Sequence, residues 1–375
     1  MNVLISATFL LSLVITWLLI PRIIKFAFSK QLFDKPSERK IHHGSVPRLG
    51  GLTFFPVSIF SIGVVVAVFT LLAPTSALAF WIAPDWVDKH YVRLLLALCA
   101  AMILYVFGVA DDLNGVRYRN KFLAQIVAGL LMCLSGVWLD NLQGIFGLNE
   151  LSPWVGWPIT VFAIVFITNA INFIDGIDGL ASGLCSIGLV YYGCTLSLYG
   201  KGGYALLAFS ALGAVLAFMW YNLHGTAEKK NKIFMGDTGS LSIGFLLAFL
   251  GLKLVMKNSS VLQSSSDELL LAFTLLLVPT FDVFRVSLLR MRNHYSPLRA
   301  DKNHIHHKLL RLGLTPHVTL ITILCLALAF LAINFLMYQF TNITVIVITD
   351  IAIYSLFHLF INYSIKKKGG SAHVF

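Results

Sequence analysis

The sequence predicts an all-α polytopic membrane protein: one integral membrane domain over residues 1–375 with about eleven transmembrane helices, N-terminus outside and C-terminus cytoplasmic. Composition is the first reason. Of the 375 residues, 58% are hydrophobic and 12% charged, and the mean hydropathy is +0.82, values no ordinary soluble domain reaches. Apolar runs are the second. Eleven are long enough to cross the ~30 Å hydrocarbon layer of a bilayer. They lie near residues 3–20, 50–72, 92–109, 122–138, 156–172, 180–199, 204–221, 239–256, 268–288, 318–338 and 343–363. Charge placement is the third. Across those runs all but five of the 28 Lys and Arg fall on alternate connections, the exceptions being Lys89, Arg93, Lys201, Lys253 and Lys257. Basic connections mark the cytoplasmic side. The net charge of +11 therefore reports topology, and no nucleic-acid partner is expected.

The first run has no basic flank ahead of it and no small-residue cleavage site, so it reads as a retained helix. It ends near Pro21 and opens a long basic loop with a turn signal at Asp34-Lys35-Pro36. Gly50 and Gly51 begin the second run and permit close approach of a ligand or another backbone. The 74–91 connection, with Asp85 and Asp88, is acidic and external. The third run ends in Asp111-Asp112, followed by Arg117, Arg119 and Lys121. The external segment 140–155 holds Gly144, Gly147 and Pro153 and no evident chemistry. After the fifth run comes Asn169-Ala-Ile-Asn-Phe-Ile-Asp-Gly-Ile-Asp-Gly-Leu180, and Gly200 to Gly203 makes a tight external turn. The seventh run exits at Asn222 into a basic loop that leads to Phe234-Met-Gly-Asp-Thr-Gly-Ser240. The ninth run holds Pro279, then Asp282 and Arg285 at the spacing of a structural ion pair. Arg299, Asp301, His304, His306, His307 and Lys308 follow. Two plain spans finish the chain, the last with Asp350, which suits an interhelical hydrogen bond. All five Cys lie in apolar runs without metal or CxxC spacing and read as small buried hydrophobes.

Asn169, Asn172, Asp175 and Asp178 recur every third residue at a membrane boundary. Along a straight helix each such step drifts by about 60°, so the outer two would face nearly opposite ways. Gly176 and Gly179 loosen or end the helix and let the four converge. Carboxylates at such a boundary are costly and mark function. The polar motifs all fall on one membrane face, which implies one shared site.

Asp clustered with Lys, Arg and His suits phosphoryl transfer, which needs placed cations and a group that binds or deprotonates the nucleophile. Asp111, Asp112, Asp175, Asp178 and Asp237 are hard oxygen ligands suited to Mg2+, with Mn2+ acceptable, and unlike the soft set zinc prefers. Gly236 and Gly239 beside Thr238 and Ser240 at a helix start suit a backbone-amide phosphate site. His304, His306 and His307 with Arg299 and Lys308 suit a diphosphate clamp. Taken singly, each has a plainer reading. Asp111-Asp112 can end a helix in solvent, Asp-Gly is a common turn, and His-x-His-His is a zinc pattern.

Together, Asn172 to Leu180, Phe234 to Ser240 and His304-Ile-His-His307 resemble the polyprenyl-phosphate N-acetylhexosamine-1-phosphate transferase family, the WecA/MraY group. Asp34-Lys-Pro36, Gly50-Gly51, Asp111-Asp112 and Lys121-Phe-Leu-Ala-Gln125 match as well, in family order from about residue 34 to 310. The resemblance implies Mg2+-dependent transfer of a sugar-1-phosphate from a UDP-sugar to a polyprenyl phosphate, releasing UMP. His304 stands where the peptidoglycan branch carries Pro, which favours the WecA type with UDP-N-acetylglucosamine and undecaprenyl phosphate. Another UDP-N-acetylhexosamine or UDP-MurNAc-pentapeptide is the alternative. The expected setting is the lipid bilayer of a bacterial inner membrane, with the active site facing the cytoplasm. The product would be the first lipid-linked intermediate of an envelope polysaccharide such as an O-antigen, and a homodimer is compatible with the family.

The resemblance also assigns roles. Asp237 is the principal Mg2+ ligand with Asp112 near the metal, and Asp111 deprotonates or orients the lipid phosphate. Lys121 holds phosphates. Asn172 and Asn222 line the nucleotide-sugar site, Phe234 stacks on uracil, and Asp178 accepts from the base. Asp175 is a phosphate-side or supporting group, and the His motif contacts the donor. Asn169, Arg299, Asp301, His43 and Arg48 join the substrate-facing set. This chain departs from the pattern in a basic run, Glu228 to Lys232, between Asn222 and Asp237. Direct in-line attack is the favoured route, and a covalent Asp intermediate the alternative. Two other classes fit less well. A transporter of an anionic substrate would place its polar groups near the midplane, often in inverted repeats. An aromatic prenyltransferase would use Asp-x-x-x-Asp spacing.

Overall fold

The computed structural model describes residues 2–33, 45–72, 84–256, 267–297 and 301–371. His43, Arg299 and the Asp34-Lys35-Pro36 turn lie outside the described residues. In chain order the helices are α1 (Asn2–Ser29), α2 (Phe54–Leu72, entered through a 3-10 turn Gly50–Thr53), α3 (Pro84–Asn114) and α4 (Tyr118–Leu134). A hairpin follows, β1 (Asn141–Ile145) and β2 (Leu148–Glu150), then α5 (Pro153–Ile174), α6 (Leu180–Leu198), α7 (Gly202–His224) and α8 (Gly236–Val255). The chain closes with α9 (Asp267–Thr274), α10 (Leu277–Arg292), the short α11 (Ile305–Arg311), α12 (Pro316–Met337) and α13 (Ile343–Lys367). Among the described residues nine helices are long and apolar enough to cross a membrane. The protein is an all-α, multi-pass membrane protein, as helices satisfy their own backbone groups where lipid cannot.

The other two expected spans take different forms. The fourth is the 17-residue α4. The ninth is broken into α9 and α10, because Pro279 has no N–H to offer the carbonyl of Leu275. The segment read as featureless, 140–155, forms the antiparallel hairpin, whose Phe146 N–H donates to Thr344 Oγ1 at 2.8 Å. Asp350 makes the interhelical bond its position suggested: Asn334 Nδ2 donates to Asp350 Oδ2 (2.8 Å) and to Thr274 Oγ1 (2.7 Å). None of the five Cys is bonded to another, but only Cys133 and Cys185 are buried. Cys99, Cys194 and Cys325 correct the expectation of burial, because they lie on outward helix faces.

Small residues set the packing, as they do where lipid supplies no hydrophobic force between helices. Thr8, Ser12 and Thr16 recur every fourth residue on the buried face of α1. A Cβ on Gly213 of α7 would collide with the carbonyl of Phe9. The innermost helix is α8, 94% of whose apolar window is buried, with α3, α5, α6 and α9 packed around it. Gly108 of α3 lies against Thr238 and Gly244 against Thr168 of α5. At the start of α8, Gly50 and Gly51 donate to the carbonyls of Phe234 and Met235 (2.9 and 2.8 Å). The close approach permitted by this glycine pair is therefore to backbone. A Cβ on Gly51 would overlap Gly239, whereas one on Gly63 would meet nothing. Gly51→Ala is expected to lower the thermal midpoint of the detergent-purified protein by ~1 °C or more, the shift a loss above ~1 kcal/mol gives in a chain of this size. Gly63→Ala should leave it unchanged. Equal midpoints for the two variants would refute the packing argument.

Candidate active site

The site begins with the entry to α8. Gly236 takes a left-handed φ of +74°, and a Cβ there would strike the Arg48 carbonyl and the Asp112 carboxylate. The turn thereby aims the first amides of α8 at the end of α3. Asp112 Oδ1 accepts from Asp237 N (2.8 Å), and Oδ2 accepts from Thr238 N (2.8 Å) and Thr238 Oγ1 (2.6 Å). A carboxylate on free helix N-terminal amides stabilises them by hydrogen bonding and by the helix dipole. This corrects one expectation: the amides suited to a phosphate already hold Asp112.

With Asp112 so engaged, Asp237 projects toward Asp111 and Lys121. Lys121 Nζ pairs with Asp111 Oδ2 (2.7 Å) and with Asp237 Oδ2. Asn172 Nδ2, from the last turns of α5, donates to Asp237 Oδ1 (3.1 Å) and Ser240 Oγ (2.8 Å). The three charged groups are neither lost in the core nor free in water, with side chains 16–21% exposed. Asn169, one turn deeper, does not reach this group. Its amide is bonded to Gln125 of α4, donating at 2.6 Å, and ties α4 to α5.

The loop between α5 and α6 is braced from α7. Asn222 Oδ1 accepts from Gly179 N (2.7 Å), while its Nδ2 donates to Ile233 O (3.0 Å) and Asp178 Oδ1 (3.4 Å). Asp178 Oδ2 pairs with Lys232 at 2.6 Å, and Lys232 Nζ lies 6.0 Å from the centre of the Phe234 ring. The basic run that departs from the family pattern thus supplies the partner of a motif carboxylate. Asp175 keeps one side of its residue in contact with solvent, while protein atoms crowd its other sides. That desolvation pushes its pKa up to about 7, with Arg48 pulling it down and Asp237, Asp178 and Asp112 pushing it further up.

The His segment comes to the same loop by way of a buried ionic hub. His304 Nδ1 donates to Asp282 Oδ2 (2.8 Å) and its Nε2 faces Arg290 Nη2 at 3.5 Å. Arg290 also pairs with Asp301 (2.7 Å), and Arg285 with Asp282 (2.7 Å). Asp282 accepts the Ile305 N–H as well (3.0 Å), so it fixes the start of α11. His304 and Asp301 are therefore tied into structure. His306 packs so tightly on Gly176 that a Cβ there would overlap its ring, and neither ring nitrogen has a partner among the described residues. His307 follows with its ring centre 4.2 Å from that of His306. Burial first, and His304 and Arg311 after it, hold His307 down to about 4, so it is neutral at physiological pH.

The structure thus brings together Asp111, Asp112, Lys121, Asn172, Asp237, Arg48 and Phe234 at one helix start. Asp175 and Asp178 lie on the adjoining loop, with Asn222 of α7 and His306 of α11 packed against it. Lys232 and Arg290 are functional-site neighbours that the sequence does not single out, and Asp282, expected to pair with Arg285, also holds His304 and the start of α11. Only the charge runs hinted at the first two. A raised carboxyl pKa weakens the fold where the group must ionise. For Asp175 this penalty is full above about pH 7 and fades as pH falls toward 3.8, its ordinary value. Asp175→Asn is therefore expected to raise the thermal midpoint at neutral and alkaline pH, with the gain vanishing toward pH ~4. A gain that does not vary with pH would contradict the assignment.

A family model described as glycosyl transferase family 4 matches residues 94–255, which run from α3 through α8. Three curated relatives extend the likeness beyond that region. "Probable undecaprenyl-phosphate N-acetylglucosaminyl 1-phosphate transferase" of Bacillus subtilis (strain 168) is 32% identical over 87% of this chain and 83% of its own length. The undecaprenyl-phosphate alpha-N-acetylglucosaminyl 1-phosphate transferase of Escherichia coli (strain K12) is 31% identical over 88% and 83%. That of Yersinia pestis is 31% identical over 82% and 77%. At that identity and coverage, with Asp111-Asp112, Lys121, Asn172 to Leu180 and Phe234 to Ser240 drawn to one end of the bundle, the chain belongs to glycosyl transferase family 4, the polyprenyl-phosphate N-acetylhexosamine-1-phosphate transferases that its motifs resemble.

Proposed function

We propose that this protein transfers N-acetylglucosamine-1-phosphate from UDP-N-acetylglucosamine to undecaprenyl phosphate, releasing UMP. The single observation that carries this reading is the group Asp111–Lys121–Asp237, held at the end of a membrane helix by the Asp112 cap. Such a group suits the handling of phosphates, and the curated relatives bear the name of this reaction. The basic connections at that end support a site facing the cytoplasm, and the bacterial relatives support an inner-membrane setting.

The donor set fits Mg2+. Asp237 and Asp111 already bracket a cationic centre, the Lys121 ammonium, with hard oxygens. Among the described residues no three His, Cys, Asp or Glu form a ready-made metal cage. Mg2+ typically takes one or two carboxylates and completes its shell with water and substrate phosphate, unlike structural zinc. Asp237 and Asp111 would hold it, and when bound it would neutralise phosphate charge during transfer. Asp112 keeps Asp237 in place through the helix amides.

In the transfer, an oxygen of the lipid phosphate attacks the sugar-bearing phosphorus in line. The bond from that phosphorus to the bridging oxygen breaks, and UMP leaves with the electron pair. Little covalent work falls to the protein, so positioning and charge neutralisation do most of the catalysis. Lys121 binds phosphate oxygens. Asp111 orients the lipid phosphate. Phe234 offers a ring to the base, and Asp178, set by Asn222 and Lys232, accepts from it. Neutral His307 serves as a hydrogen-bonding group toward the donor sugar or diphosphate.

Purified protein is expected to release UMP from UDP-N-acetylglucosamine only when both Mg2+ and undecaprenyl phosphate are present. Asp237→Asn should reduce turnover by about 100-fold or more, as loss of a charge-stabilising group commonly does. UMP release without the lipid, or near-normal turnover by a folded Asp237→Asn protein, would overturn the reading. Preference for another UDP-sugar in the same assay would move the donor assignment alone.

A further inference from the structure

The last helix, plain in the sequence, carries a polar stripe. Asp350, Tyr354 and His358 are buried on α13, and Asn362 continues the stripe half-buried. Steps of four residues keep one helix face. Asp350 is held by Asn334, but the lower three residues face the ground beneath the His segment. Tyr354 Oη donates to Asp282 Oδ1 at 3.4 Å, and the His358 ring lies 4.6 Å from that of Tyr354. Asn362 Oδ1 accepts from Lys308 Nζ at 2.7 Å. Past the helix end, Lys368 Nζ donates to Leu312 O (2.7 Å) and Ser371 O accepts from Arg311 Nη1 (3.0 Å). The middle and end of α11 are therefore held directly by α13 and the residues after it, and its start indirectly, through the Asp282 that Tyr354 also contacts.

Lys308 is the middle of that grip. It is 1% exposed, and burial and then Arg285 drive its pKa down to about 7. A buried ammonium among like charges needs a good acceptor, and Asn362 supplies one without adding charge. Two residues before Lys308, on the opposite side of this short helix, lies His306, pressed on Gly176 of the Asp175–Asp178 loop. A slight shift of α11 would move the His306 and His307 rings away from that loop, and displacements of about 1 Å are enough to impair catalysis.

We infer that Asn362 is a positioning residue for the transfer: through Lys308 it fixes α11, and thereby keeps His306 and His307 against the donor-binding loop. The inference rests on the transfer reading above. Its test is UMP release by purified Asn362→Leu and Asn362→Asp, with KM measured separately for each substrate. Asn362→Leu should raise KM for UDP-N-acetylglucosamine about tenfold or more, because the His306 and His307 rings lose their fixed place against the donor loop. KM for undecaprenyl phosphate should stay within about twofold. Asn362→Asp, which keeps the acceptor, should restore the donor KM. If Asn362→Leu does not fold, Lys308→Met provides the same comparison and the same expected rise. A folded Asn362→Leu with wild-type KM, or one whose defect Asp does not rescue, overturns the inference. Wild-type protein inert toward UDP-N-acetylglucosamine overturns both readings, while active wild type with indifferent variants overturns this one alone.

Discussion

The grip of Asp112 on the first amides of α8 is the constraint from which the rest of the site follows. It joins the end of α3 to the start of the most buried helix in the molecule. Three donors on one carboxylate fix both the rotation and the depth of α8. Asp237 is the residue those amides belong to, so fixing the helix start also fixes its carboxylate. Gly236 makes this possible by taking a backbone conformation other residues resist, and it leaves no room for a side chain.

Around that joint the other walls are added in layers. Backbone bonds from Gly50 and Gly51 hold the approach to α8. Asn222 does the same for the Asp175–Asp178 loop, using both ends of its amide. The His segment is carried by Asp282, a carboxylate fully inside the protein with Arg285 and His304 as partners. A buried charge persists only when so compensated. The outcome is a division of labour among acidic residues that look alike in sequence. Asp112 and Asp282 hold elements in place, whereas Asp111 and Asp237 face the Lys121 ammonium.

Much of this was legible in the sequence because hydrocarbon imposes strong rules. Long apolar runs, one-sided basic loops and costly boundary carboxylates gave the fold class, and motif order gave the family. Less legible was what each polar group bonds to. Asn169 and Asn172 lie three residues apart, yet one ties α4 to α5 and the other reaches Asp237. The direction of each depends on where α5 ends, which hydropathy does not specify. Asp112 beside Asp111 reads as a second ligand until the α8 amides are placed against it. Lys232 reads as part of an insertion until Asp178 is found at 2.6 Å. The polar stripe of α13 is diluted by fifteen apolar neighbours on the same helix and becomes visible only when its partners on other helices are known.

Hydrogen exchange over the segment Ile233 to Leu241 tests the central joint most directly. In wild type the Asp237 and Thr238 amides are bonded to Asp112, so the segment should exchange slowly. In Asp112→Ala it should exchange at least about tenfold faster, because those amides lose their acceptor, while the α1–α7 contact should keep its protection. Unchanged protection at the start of α8 in that variant would show that the helix is held by something else, and would contradict the account.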